Sequence, residues 1–167
     1  MKYWIVDNFN VSKIASKLEE IYNIESLNKK FIYSYIFILR KIISSFLRNV
    51  YSIERLASNN ANNILCIDES LFTHTDGMQT WIVGIINTDT NEIRLEVVTN
   101  RNKETLKAIV KKHIGIGNTV YSDSWAGYNF LHNPNSGYNH NVINHNHGIF
   151  GLTSRIEGLW GDLKSTI

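Results

Sequence analysis

The sequence predicts an α/β domain built on a mixed sheet, preceded by a small helical segment. Three observations predict it. Residues 11–57 carry apolar side chains at helical spacing. Residues 64–99 switch to short β-branched and apolar runs separated by polar turns. From residue 102 onward helical and strand-like stretches alternate. At 167 residues, with 43% hydrophobic and 19% charged, the chain has room for one ordinary domain with a small appendage and is too apolar to be disordered.

The helical segment spans 1–58. Asn10 or Ser12 can cap VSKIASKLEEIY, where Ile14, Leu18 and Ile21 recur at helical spacing. A second helix, Ser26 to about Val50, places Ile32, Ile36, Leu39, Ile43 and Phe46 on a shared face, interrupted by Arg40, Lys41 and Arg48. Joined by NIESLN, the pair suits a helix-turn-helix reader of DNA, and equally a plain helical hairpin. The polar, low-complexity residues 59–63 then form a linker, the best domain boundary in the chain.

Beyond the linker, Ile64–Phe72, Thr80–Asn87 and Glu92–Thr99 are strands, the last two joined as a hairpin by Thr88-Asp89-Thr90-Asn91. Asn102 caps a helix, KETLKAIVKKHI, with Leu106, Ile109, Val110 and His113 on one face, and Gly115 and Gly117 end it. Asn118–Ser122 is a short buried strand, HNVIN at 140–144 a fifth strand, and Arg155–Lys164 a final helix. Three antiparallel strands, helix, strand, irregular stretch, strand, helix is the order of the ribonuclease-H-like fold, although the same string suits other α/β domains.

Composition excludes several classes. The longest apolar stretch, Phe31 to Leu39, ends at Arg40 and Lys41, short of the roughly 20 residues a membrane helix needs. MKYWIVDNF lacks the pattern of a signal peptide, so an intracellular protein is expected, in the nucleus if the host is eukaryotic and in the cytoplasm or nucleoid if bacterial. Cys66, the single cysteine, can form neither an internal disulfide nor a cysteine-based zinc site, and in ILCI it is expected to be a buried thiol. Residues 1–59 carry nine Lys/Arg against five Asp/Glu (+4), and residues 60–167 eight against ten (−2). A basic front beside a slightly acidic core suits a DNA-contacting segment attached to a metal-binding domain, or ordinary scatter of surface charge.

Three acids stand out. Asp68 in ILCIDES and Asp123 in TVYSDSWAGY each close an apolar run, and Glu157 opens the helical RIEGLWGDLK. On neighbouring strands two such aspartates would converge, and close carboxylates repel unless a cation neutralises them. Hard divalent cations take carboxylate oxygens, and a pair of ions suits the in-line displacement of phosphoryl transfer. Taken singly, each acid is also an ordinary turn, cap or solvated helix residue. Lys164, seven residues after Glu157, projects from the same helix face, where a DNA backbone could run.

ILCIDESLF, WIVGIINTDTNEIRLEVV, NRNKETLKAIVKKHI, GNTVYSDSWAGY and SRIEGLWGDLK, in that order from Ile64 to Lys164, together resemble the insertion-sequence DDE transposases, most closely the ISXO2-like, Merlin-related group. YSDSWAGY and IEGLWGDLK are the specific blocks; IDES alone is weak. The resemblance implies a ribonuclease-H-like catalytic domain over 64–167, with Asp68, Asp123 and Glu157 as catalytic acids and ligands of two Mg²⁺ or Mn²⁺ ions. It implies DNA contacts by Lys164, Trp125 and Arg155, cleavage and strand transfer at transposon ends, and double-stranded DNA, both terminal inverted repeats and target, as the partner of a homodimer. Where some bacterial relatives place Asn near the start of the final motif this chain has Ser154, which favours glutamate as third ligand. The cysteine-based zinc element of many relatives has no counterpart, and the chain ends three residues after Lys164, as a C-terminally truncated copy would. A catalytically inactive or domesticated DNA-binding remnant is the alternative.

Trp81, Trp125 and Trp160 have faces that stack on bases, though tryptophans beside strands and helices commonly serve as core. In NHNVINHNHG, His140, His145 and His147 form a polar loop, His145 being the match to a histidine upstream of the third acid in the family.

Overall fold

The computed structural model describes residues 11–58, 62–75, 78–143 and 154–165; Asn10, most of the expected linker, His145 and His147 lie outside them. The chain divides into two compact units, Met1–Val50 and Tyr51–Ile167.

In the first unit, helix α1 (Val11–Tyr22) packs on the front of α2 (Lys29–Ile53). Val11, Ala15 and Ile32 are buried, with Ile14, Leu27 and Ile36 against them. Glu19 Oε1 accepts from the Leu27 N–H at 2.8 Å and fixes the connection. The apolar face expected to continue through Ile43 and Phe46 is instead exposed there, at 44% and 65%. The reason is length: α1 has 12 residues and α2 has 25, about 18 Å against about 38 Å, so α1 covers only half of its neighbour.

The second unit is a five-stranded sheet ordered β3-β2-β1-β4-β5, made of β1 (Ile64–Thr75), β2 (Met78–Asn87), β3 (Ile93–Val98), β4 (Thr119–Ser122) and β5 (Asn139–Val142). β1, β2 and β3 form an antiparallel meander, while β4 is parallel to both β1 and β5. This order and orientation define the ribonuclease-H-like fold. The crossover to β4 runs through α3 (Lys103–His113), which Asn102 caps by accepting from the Thr105 N–H at 2.9 Å. Two 3₁₀ segments, Ala126–His132 and Pro134–Ser136, lead to β5, and α4 (Ser154–Ser165) follows.

Strand alternation sorts the core into two layers. Leu65, Ile67, Val83 and Ile85 face α3 and the 3₁₀ segment, meeting Leu106, Ile109, Val110, Tyr128 and Leu131. Cys66 and Ile86 face the other way and meet Ile156 and Trp160 of α4. Leu56 also enters the first layer, bridged to Ile114 and fully buried. At the end of the expected linker, Asn63 is buried as well: its N–H donates to Asn118 Oδ1 at 3.0 Å, and the Asn118 amide donates to Ala57 O and Gly115 O.

β1 is longer than its apolar run, continuing through Thr75 into a hairpin with β2, so Asp68 sits mid-strand and not at a strand end. β4 is short and pairs with β1 only from Ile64↔Thr119 to Cys66↔Tyr121. Asp68 therefore lies just past the point where β1 loses its parallel neighbour.

Asp68 is paired across the β1–β2 ladder with Gly84. A Cβ at Gly84 would come 2.6 Å from Trp160 Cη2 and 2.9 Å from Cζ2. Gly84→Ala is expected to cost about 1–3 kcal/mol through this overpacking, measured by denaturant unfolding, with no change in secondary structure by circular dichroism.

Candidate active site

Asp68 reaches the layer between the sheet and α4. Helical spacing puts Ile156 and Trp160 of α4 on the buried face, and the bare backbone of Gly84 leaves room for the indole. Trp160 Nε1 donates to Asp68 Oδ2 at 2.8 Å. Trp160, expected either to stack on bases or to fill core, is buried and holds an acid in place. Glu157 follows Ile156 in the first turn of α4 and is exposed. Asp123 lies one residue beyond β4; extending the parallel register by two residues brings it opposite Asp68. Asp123 Oδ1 accepts from the Trp125 N–H at 2.9 Å and closes the turn into the 3₁₀ segment.

Of the three acids, Asp68 is perturbed by its surroundings. Burial raises the Asp68 carboxyl above its ordinary pKa; the bonds from Trp160 and the Glu69 backbone oppose this, and the charges of Asp123 and Glu157 push it further up. A cation between them would relieve that repulsion, and the donors are the hard oxygens that Mg²⁺ or Mn²⁺ takes. By donor type and charge the residues fit divalent metal. Among the described residues they are not drawn together into a finished ligand cage.

Glu69 points to the opposite face from Asp68, and the sequence reading overlooked it. Its side chain is 1% exposed, accepts from the Tyr128 hydroxyl at 2.7 Å and meets Arg101 Nη1 at 3.5 Å. Burial raises its pKa, against the Tyr128 bond. Arg101 is clasped between two rings, 4.3 Å from the Trp81 centroid and 4.2 Å from that of Trp125. Trp125 Nε1 donates to the Arg101 carbonyl at 3.3 Å. The signal for Glu69 was its alternation with Ile67 and Leu71: an acid on an apolar face needs a partner, and Tyr128 closes the YSDSWAGY block.

The expected DNA contacts are scattered around the acids. Lys164 Nζ lies 5.7 Å from the Phe72 ring centroid. Arg155 donates to Thr88 O at 2.6 Å and to Asn91 Oδ1 at 2.7 Å, tying α4 to the β2–β3 turn. Trp125 is 40% exposed. His140 lies in β5, its Nε2 2.9 Å from Ser122 Oγ and its ring 4.5 Å from that of His132; burial, aided by His132, lowers its pKa to about 4. Cys66 is fully buried, and burial pushes its thiol up to about 11 against the opposing Arg155 charge. No helix among the described residues is long and apolar enough to cross a membrane.

A sheet of this order and orientation, with helices on both faces, defines a ribonuclease-H-like domain. The profile of the ISXO2-like transposase domain matches residues 70–167, more than half of the chain, and the protein belongs to that family. The match includes Asp123 and Glu157 and begins two residues after Asp68. No curated protein matches the sequence. Among solved structures the chain is similar to a simian T-cell lymphotropic virus intasome in complex with PP2A regulatory subunit B56 gamma, at 14% identity and a TM-score of 0.47, over 62% of this chain and 40% of that one. It is also similar to the HTLV-2 integrase catalytic core domain in complex with magnesium, at 13% identity and a TM-score of 0.43, over 62% of this chain and 69% of that one. The BIV integrase catalytic core domain is similar at 14% identity and a TM-score of 0.44, over 61% of this chain and 66% of that one.

The Glu69 carboxyl binds its proton more tightly in the fold than at its ordinary value of 4.5. Ionising it therefore costs stability above the folded pKa, and the cost fades as pH falls toward 4.5. Glu69→Gln removes that cost. Its unfolding free energy minus that of wild type is expected to be larger, meaning relatively more stable, at about pH 8 than at about pH 5, read from urea unfolding at both.

Proposed function

We propose that the protein is a DDE transposase, a polynucleotidyl transferase that cuts and joins DNA at transposon ends. The observation that carries this reading is the placement of Asp68, which Trp160 of α4 holds by a 2.8 Å bond and whose strand register, extended by two residues, sets Asp123 opposite it. Membership of the transposase family supports it. The affinity to Merlin elements rests on the quoted sequence blocks.

In this reading the three acids hold two divalent ions, Mg²⁺ or Mn²⁺. When bound, the ions neutralise the carboxylates and stabilise the attacking and leaving oxygens of an in-line displacement. The protein's share is placement. Trp160 fixes one Asp68 oxygen and so orients the other. The turn closed by the Trp125 N–H fixes Asp123. Glu157 stands exposed on the first turn of α4, where its carboxylate would be the third ligand. Positioning and charge neutralisation supply the catalysis, and no covalent enzyme intermediate is needed.

Lys164, Arg155 and Trp125 are assigned as contacts to double-stranded DNA at the terminal inverted repeats and target. The helical segment 1–58 serves as a further DNA-contacting domain, and two copies pair on the DNA to bring two ends together.

The test is nicking and strand transfer by the full chain on a duplex bearing the element's terminal repeat, with Mg²⁺. Asp68→Asn, Asp123→Asn and Glu157→Gln are each expected to lower the rate by at least about 10²–10³-fold, the loss of several kcal/mol of charge stabilisation. Undiminished activity in Asp123→Asn would contradict the assignment. Duplex binding by wild type with no cutting or joining would identify an inactive remnant.

A further inference from the structure

The face of α3 turned from the sheet carries Lys103, Lys107 and Lys111, all exposed. Their spacing of four sets them in one row, about 6 Å apart along the axis. Opposite the row, the 3₁₀ segments and the residues flanking them supply Asn129, Phe130, Asn133, Asn135 and Tyr138, and the two walls line a cleft of about 290 Å³. The far wall is firmly set: Phe130 and Tyr138 pack against the core, the Tyr138 hydroxyl donates to Ile114 O at 3.3 Å, and Asn133 Oδ1 accepts from the Asn135 N–H at 2.8 Å.

Charge decides what the cleft takes. No carboxylate lines it. Among the described residues none of these three lysines is ion-paired, whereas Lys112 on the same helix pairs with Glu96. Like charges at this spacing repel each other on a helix, and an anion lying along the row removes the penalty. A row of ammonium groups faced by asparagine amides is the donor set that holds phosphate backbone. An acidic peptide would match the charge, but it would make poorer use of amides and flat rings.

The cleft does not belong to the acids. Leu106, Ile109 and Val110 seat α3 on the sheet face of Leu65 and Ile67, while Asp68 meets Trp160 on the other face. We propose that this cleft binds the phosphate backbone of duplex DNA, and that the segment held there is distinct from the strand at Asp68, Asp123 and Glu157. The proposal rests on the reading that the protein works on duplex DNA.

The experiment is a salt titration of the affinity of the full chain for a fluorescent random-sequence duplex, in EDTA. Each phosphate contact contributes about 0.9 to the slope of log K against log salt. Lys107→Gln is expected to lower the slope by about 0.9, and the triple change Lys103→Gln, Lys107→Gln, Lys111→Gln by about 2.7. The triple Lys→Arg variant should keep the wild-type slope, which separates loss of charge from loss of fold. A wild-type slope in the triple glutamine variant would overturn the proposal, as would three lysines that govern binding of polyglutamate but not of duplex. Because EDTA removes metal, failure of strand transfer leaves this measurement intact. An unchanged slope beside normal strand transfer would remove the cleft and spare the proposed chemistry.

Discussion

The hydrogen bond from Trp160 Nε1 to Asp68 Oδ2, 2.8 Å long, joins the last helix to the central strand. It is possible only because Asp68 pairs with Gly84, the residue whose missing side chain admits the indole. A bond to a charged group contributes about 1.5–3 kcal/mol, enough to set the helix register without displacing the cost of burying the acid. Burial still wins, as the raised pKa of Asp68 shows. The same contact that seats α4 through Ile156 and Trp160 sets the direction of Glu157 in the first turn of the helix. A one-residue slip of α4 would turn Glu157 by about 100°.

Two adjacent carboxylates on β1 show how alternation assigns different work to like residues. Glu69 faces the α3 layer, where Tyr128 and Arg101 answer it internally. Asp68 faces α4, where one oxygen is answered by Trp160 and the neighbouring charges are acids. One acid is a structural junction tying the strand to the YSDSWAGY turn; the other has no basic side chain among the causes of its pKa shift. Arg101, held between Trp81 and Trp125, couples the junction to the loop that carries Asp123.

Much of this was legible in the sequence because it depends on local periodicity. The alternation in WIVGIIN, the cap at Asn102 and the amphipathic RIEGLWGDLK each specify an element that the structure contains. The order of elements along the chain matched the ribonuclease-H-like string, while the strand order within the sheet came from the structure. What escaped depends on contacts between distant residues. The strand expected over Ile64–Phe72 runs on to Thr75, because the β1–β2 ladder supplies backbone partners whatever the side chains. Trp160 gave no local sign of binding Asp68, 92 residues away. Ile43 and Phe46 have the right spacing for a core, but among the described residues α1 is too short to cover them. Asp68, Asp123 and Glu157 are candidates that motif and spacing alone can name, whereas Glu69, Arg101 and Tyr128 emerge only when β1 is placed against the 3₁₀ segment.

The account stands on the claim that Trp160 and the three acids form one metal-binding unit. Paramagnetic broadening by Mn²⁺ in the nuclear magnetic resonance spectrum of the full chain tests this directly, with the Trp160 indole N–H assigned through Trp160→Phe. The account predicts that this signal and the amides of Asp68, Asp123 and Glu157 broaden first and together at substoichiometric Mn²⁺. An indole signal that stays sharp while Mn²⁺ saturates the protein would contradict it.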